Sequence, residues 1–241
     1  GHNLYELRIQ PENQPINMSP WYAFKIWSKE KKRIWVQFTY EHGQHRYIPK
    51  LSRDGDSWEP VGDEQFTFVK EGSAVMNIEV SADTLWVAAQ EIMDSRRVGD
   101  WCETLAKDDR VSFATAGKSA KNRDLFFMDV NNGKTRKKDI VAIISRQHPP
   151  EVTGFLALQA FLDEVLTNER SEEFLKKFRL VVYPLMNPDG VDEGHWRHNT
   201  GGIDLNRDWA YYNQPETKQE ANHMVNLVGM SKARVVLGLD F

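Results

Sequence analysis

The stretch Asp139-Ile-Val-Ala-Ile-Ile-Ser-Arg-Gln-His-Pro-Pro-Glu151 decides how the chain is read. Its first half, Asp139 to Ile144, is a continuous apolar run rich in β-branched residues. A strand with one wet face would alternate; a continuous run predicts a central strand covered on both faces. The second half carries His148 past the end of that strand, stiffens the backbone with Pro149 and Pro150, and sets Glu151 at the mouth of a helix expected over Val152 to Leu166. An imidazole nitrogen and a carboxylate presented together suit zinc, which takes such donors and in catalytic sites keeps a position for water. The H-x-x-E spacing is also short and common. On these residues alone Glu151 can equally be an acid at a helix N-terminus and His148 a loop residue, and both readings stay open.

Outward from this stretch, a helix is expected near Gly99 to Lys107, with strands at Arg110–Thr115 and Leu125–Val130. A helix at Ser171–Phe178 has Ser171 and Glu172-Glu173 suited to its cap and first turn. Phe178–Tyr183 returns to strand, Pro215–Leu227 reads as helix, and Ala233–Leu239 as a last buried strand. Helices alternating with buried strands imply an α/β sandwich with functional loops at the strand ends. Before about residue 95 the pattern differs. Trp21–Trp27, Arg33–Tyr40, Gln65–Val69, Val75–Val80 and Thr84–Ala89 read as short strands, with a turn at Glu41–Gln44 leading to His45–Ile48. Pro49, Asp54-Gly55-Asp56, Pro60 and Gly62 punctuate them. The pattern predicts an antiparallel β-sandwich over residues 1–95 and a separate domain over 96–241. Trp21, Trp27, Trp35 and Trp58 are expected to fill the core and packing surfaces of the small domain rather than to form a carbohydrate platform.

A net charge of -4 supplies no overall positive field to recruit nucleic acid. The basic run Lys134-Thr-Arg136-Lys137-Lys138 reads as a turn leading into a strand. No apolar stretch reaches the roughly 18 to 20 residues of a membrane span. Cys102 is the single cysteine, so no intrachain disulfide forms; its place between Trp101 and Leu105 predicts a buried structural thiol.

The remaining chemistry lies in Trp196-Arg197 and in Gly201-Gly-Ile-Asp-Leu-Asn-Arg-Asp208. Asp204 can accept the second ring N–H of a metal-bound histidine and so fix its tautomer. Arg207 offers a planar fork for a substrate carboxylate, with Asn206 adding an amide contact. Arg197 can face a scissile carbonyl and favour the negative charge that develops on its oxygen. The alternative for both arginines is ordinary ion pairing.

Together, His148-Pro-Pro-Glu151, Asn187-Pro-Asp-Gly190, Trp196-Arg197 and Gly202-Ile-Asp-Leu-Asn-Arg-Asp-Trp209 resemble the M14 zinc metallocarboxypeptidases, most of all their cytosolic carboxypeptidase-like branch. The resemblance implies an N-terminal β-sandwich followed by part of an α/β/α catalytic domain with a mixed sheet. It implies Zn2+ as cofactor, with His148 and Glu151 as metal ligands and Asp204 behind the histidine. Arg197 is implied as the catalytic oxyanion donor, and Asn206 and Arg207 as the residues that grip the substrate's terminal carboxylate. Asn187–Gly190 would be the strand-end turn before the Arg197 loop, and Glu216 a structural acid. The implied partner is a peptide or protein C-terminus, with no nucleic acid and no membrane, and the implied location is cytoplasmic. The family's third zinc ligand is expected just after Phe241, with the general base later still. His195 and His198 do not match its spacing. The 241 residues are therefore expected to have little peptidase activity alone. Two alternatives are a zinc amidohydrolase of the aspartoacylase or succinylglutamate desuccinylase type, which shares H-x-x-E, and a non-catalytic binding protein on the same scaffold.

Overall fold

The computed structural model describes residues 3–69, 72–133 and 137–241. Lys134 to Arg136 of the basic run lie outside the described residues. The chain forms two compact units, Gly1–Ile92 with Gly194–Arg197, and Met93–Glu193 with His198–Phe241.

Among the described residues the first unit holds eight strands: β1 (Leu4–Ile9), β2 (Ala23–Ile26), β3 (Lys32–Tyr40), β4 (Lys50–Ser52), β5 (Glu59–Pro60), β6 (Phe66–Phe68), β7 (Ala74–Val80) and β8 (Leu85–Ala88). They make two four-stranded sheets, ordered β1-β3-β7-β6 and β2-β8-β4-β5. Alternation on β3 sends Ile34, Val36 and Phe38 inward, against Met76, Ile78, Leu85 and Val87. Pairing is antiparallel except that β1, whose strand character the sequence reading passed over, runs parallel to β3. Two expectations for this unit are corrected. Trp27 and Trp35 are 64% and 39% exposed. Trp35 occupies the outward phase of β3, and the core is filled by aliphatic residues with Tyr22, Phe38 and Met76, Trp21 packing against it. His45–Ile48 is not a strand. The His45 ring is buried against Phe38, Phe66 and Phe68, and its Nε2 sits against the Tyr47 carbonyl while Nδ1 lies 2.8 Å from the Tyr40 hydroxyl. Those bonds bend the chain before it straightens at Lys50.

The second unit places α1 (Ser95–Leu105), α2 (Val152–Thr167), α3 (Ser171–Lys177), α4 (Pro188–Asp192) and α5 (Pro215–Ser231) around β9 (Val111–Lys118), β10 (Asp124–Val130), β11 (Asp139–Ile144), β12 (Phe178–Tyr183) and β13 (Val235–Asp240). The sheet order is β13-β11-β12-β10-β9, with the first three strands parallel and the last two antiparallel to their neighbours. The continuous apolar run on β11 is explained by cover on both faces. Val141 and Ile143 pack with Phe155, Leu158 and Leu162 of α2. Ile140 and Ile144 face the layer containing Met224 and Leu227 of α5. The result is an α/β/α layering around a mixed sheet, preceded in the chain by the largely antiparallel N-terminal sheets, the architecture expected from the sequence. Cys102 is buried beside Val98, and burial pushes its thiol far above the ordinary range. Lys138 is buried too, its ammonium held by Asn131 and Asn132 side chains and the Leu175 carbonyl.

Two further expectations change here. β13 is not buried: Val235, Val236 and Leu237 are each nearly half exposed. Among the described residues β13 is the sheet's edge, with β11 on one side. Ser171 is not the cap of α3; Arg170 holds that position, and the Ser171 hydroxyl accepts from Arg110 at 2.9 Å.

Helix α5 carries Glu216 and Glu220 one turn apart, both buried. Glu216 accepts from the Ala120 amide at 3.2 Å and the Asn199 amide group at 3.4 Å. Neither carboxylate oxygen of Glu220 has a hydrogen-bond partner among the described residues. Burial, reinforced by Glu216, pushes its carboxyl well above 4.5. The folded protein therefore holds this proton more tightly than the unfolded chain, and stability falls as pH rises above roughly 4.5. Glu220→Met, close in shape, is expected to stabilise by about 1–3 kcal/mol near pH 7. The gain in Tm should widen between about pH 4.5 and pH 8 in thermal melts; a gain independent of pH would show that Glu220 does not titrate there.

Candidate metal centre and carboxylate site

Because β11, β12 and β13 are parallel, their C-terminal ends open on one edge of the sheet, where ligands of α/β folds collect. The loop after β11 brings His148 and Glu151 there. Its backbone is held by Arg146, at φ 58° and fully buried, a charged residue that the sequence reading did not single out. Arg146 donates from Nε to the Pro149 carbonyl at 3.0 Å and from Nη1 to the Met93 carbonyl at 3.3 Å. Burial lowers its guanidinium to about 10. With the Pro149 carbonyl gripped from inside, the rigid Pro-Pro step presents His148 and Glu151 side by side.

His148 is the hub. Nδ1 lies 2.8 Å from Glu151 Oε1, and Nε2 lies 3.0 Å from Asp204 Oδ1, across 56 residues of sequence. The Glu151 carboxylate, above all, holds the imidazole pKa up; burial opposes it and Asp204 assists. The Asp204 oxygen that meets His148 also accepts from the Asn206 amide at 3.0 Å, capping the 3-10 turn Leu205–Arg207. One carboxylate thus orients the histidine and sets the turn bearing Asn206 and Arg207, whose side chains are exposed. Asp208, which follows, accepts from the Asn213 and Gln214 amides and the Thr217 hydroxyl, tying the turn to the start of α5.

Two polar residues at this edge escaped the sequence reading. Gln147 donates to Asp240 Oδ2 at 2.7 Å and accepts from Trp209 Nε1 at 2.6 Å. Burial raises the Asp240 carboxyl and the Gln147 bond counters it. Gln147 stands one residue from His148, and that adjacency was the one local signal. A pocket of about 510 Å³ opens beside Asn206, lined also by Gln147, Tyr183, Trp209, Tyr212 and Asp240.

Asn187–Gly190, expected as a turn, starts helix α4. The Asn187 side chain accepts from Gly190 N at 2.9 Å, and Pro188 stands in the first turn, where its missing N–H costs nothing. A Cβ on Gly190 would lie 2.8 Å from both Asn187 and the His198 carbonyl, so this close approach requires glycine. Asp189 is buried and bonded to Ser119 Oγ, Lys121 N and Arg123 Nη1.

The structure therefore joins His148, Glu151 and Asp204 directly and hangs Asn206 and Arg207 from the same aspartate. Arg197 is not in that group. It belongs to the first compact unit, where its amide donates to Glu12 Oε1 at 3.0 Å. Among the described residues no group of three or more His, Cys, Asp or Glu side chains is arranged to hold a metal ion. No helix of the described residues is long and apolar enough to cross a membrane.

Residues 98–233, more than half of the chain, match the zinc carboxypeptidase family, Peptidase M14. The chain belongs to that family. An uncharacterized protein of Zymomonas mobilis subsp. mobilis is 25% identical over 235 residues, covering 93% of this chain and 59% of that protein. Cytosolic carboxypeptidase 3 of Bos taurus is 36% identical over 82 residues, which are 34% of this chain and 8% of that one. Among solved structures, a metallo-carboxypeptidase from Pseudomonas aeruginosa in complex with (2-guanidinoethylmercapto)succinic acid superposes with a TM-score of 0.84 at 22% identity. It covers 100% of this chain and 64% of its own. A metallo-carboxypeptidase from Burkholderia cenocepacia gives a TM-score of 0.83 at 20% identity, covering 98% and 64%. At such identities the structural likeness establishes the fold. The chain spans about three fifths of the Zymomonas relative's length.

Proposed function

We propose that residues 1–95 form an N-terminal sandwich domain and residues 96–241 the first part of the catalytic domain of a zinc-dependent carboxypeptidase. The enzyme hydrolyses the C-terminal peptide bond of peptides or proteins. The observation that carries this reading is the doubly used Asp204 oxygen, which binds the presentation of His148 to that of Asn206 and Arg207. Such coupling suits a reaction performed next to a terminal carboxylate. The donor chemistry fits zinc: His148 commits Nε2 to Asp204, which leaves Nδ1 and the Glu151 carboxylate, a borderline nitrogen and a hard oxygen, as adjacent donors. Bound zinc supplies an acidified water and polarises the scissile carbonyl. Arg207 and Asn206 pair with the substrate's free carboxylate and so restrict cleavage to a chain end. Arg197 donates to the carbonyl oxygen as its negative charge grows. A cytoplasmic location is part of this reading, and several relatives named cytosolic carboxypeptidases support it.

The test is the release of amino acid from peptides with a free C-terminus, beside C-terminally amidated peptides and N-acyl amino acids. Cleavage confined to the free C-termini supports the reading. Turnover of N-acyl amino acids alone would transfer the chain to the amidohydrolases, and a zinc-free, inactive full-length protein would make it a binding protein. Arg207→Gln is expected to raise KM about 10–100-fold, the loss of a charge-assisted pair, with zinc affinity unchanged. An equal loss of metal affinity would remove Arg207 from the carboxylate site.

A further inference from the structure

We infer that Glu12 is a positioning residue for Arg197; the inference rests on the reading of Arg197 as the oxyanion donor. The compact unit formed by Gly1–Ile92 includes four residues from far along the chain, Gly194–Arg197. Specific contacts account for this. The Trp196 ring meets Tyr47 edge-on at 6.1 Å between centroids, and the Arg46 guanidinium lies 5.7 Å from the Trp196 ring. The Arg197 amide donates to the Glu12 carboxylate at 3.0 Å, 185 residues away in sequence.

Residues 194–197 lie outside helix and strand, so no ladder of backbone bonds fixes the Arg197 amide. The Glu12 carboxylate supplies that bond, and a charged acceptor makes it stronger than a neutral one. With Trp196 clasped on one side and its own amide bonded on the other, the backbone at Arg197 is held from two directions. An oxyanion donor works only when held within about 0.5 Å and 10–20° of its working position. A shift of about 1 Å costs up to about a hundredfold in rate. Glu12 itself touches no reacting atom, and its effect belongs in kcat.

The test uses the zinc-loaded protein carrying its complete catalytic domain, with Glu12→Ala, Glu12→Gln, Glu12→Asp, Arg197→Ala and the Glu12→Ala/Arg197→Ala pair. Measured are kcat, KM, zinc content and the hydrogen exchange rate of the Arg197 amide. Glu12→Ala is expected to lower kcat about tenfold, with KM within about twofold and zinc content unchanged, and to speed exchange at Arg197. Glu12→Gln, whose amide oxygen accepts the same bond, should recover most of the rate. Glu12→Asp, one methylene shorter, should not, and this pair keeps the question answerable should the alanine variant fail to fold. The double variant should be no slower than Arg197→Ala alone. Unchanged kcat and exchange in Glu12→Ala, or losses that add in the double variant, would overturn the role of Glu12. An Arg197→Ala variant with normal kcat would instead sink the oxyanion reading, and the positioning role with it.

Discussion

Arg197→Ala is expected to lower kcat by about 10²–10³-fold with little change in KM or zinc content, the cost of removing one preorganised donor from an oxyanion site. The size of the effect follows from where the charge appears. The ground-state carbonyl carries little charge, so the arginine contributes little to binding. On the proposed mechanism the tetrahedral state carries negative charge on that oxygen, where a preorganised donor counts for more than it does in the ground state. Lysine at this position keeps the charge but loses the planar fork, and should recover only part of the rate. The check is steady-state kinetics on a peptide with a free C-terminus. A variant altered in KM alone would make Arg197 a substrate-binding residue.

Asp204→Ala is expected to weaken zinc binding about 10–100-fold, the usual cost of removing the group that orients a ligating histidine. The same substitution should also raise KM, because the oxygen that meets His148 Nε2 caps the turn presenting Asn206 and Arg207. Asp204→Asn separates the two roles. Asparagine caps such turns well, so KM should stay near wild type. As a neutral acceptor it polarises the imidazole less, so zinc affinity should still fall. Zinc competition against a chelator, alongside KM, reads both effects. Wild-type zinc affinity in Asp204→Ala would detach Asp204 from the metal centre.

Much of the second unit was legible because its signals are local. The apolar run of β11, the helix behind Glu151 and the return to strand at Phe178 are each read within a few residues. The candidate site was legible in part for the same reason: H-x-x-E and Asp-Leu-Asn-Arg are short motifs whose spacing already places donors together. What failed was whatever depended on a neighbour distant in sequence. Trp27 reads as a packing residue yet is 64% exposed, and Val235–Leu237 read as buried although, among the described residues, the sheet order puts them on an edge. Leu4–Ile9 earns its strand from parallel pairing with β3.

By itself the sequence determined most of the element types and the change of pattern near residue 95, and it named the candidate donors, since propensity, periodicity and motif spacing act over one or two turns of chain. Only the tertiary structure decided how the donors are held. Arg146 on the Pro149 carbonyl, Gln147 between Asp240 and Trp209, one Asp204 oxygen shared by His148 and Asn206, and Glu12 under Arg197 are hydrogen bonds that no local pattern encodes. Most of them join segments tens to nearly two hundred residues apart, brought together when β11, β12 and β13 align in parallel and when the first unit folds around Gly194–Arg197. A short-range code can name a donor, but its partner is chosen by the burial of surfaces distant in sequence, which leaves polar groups that must find one another.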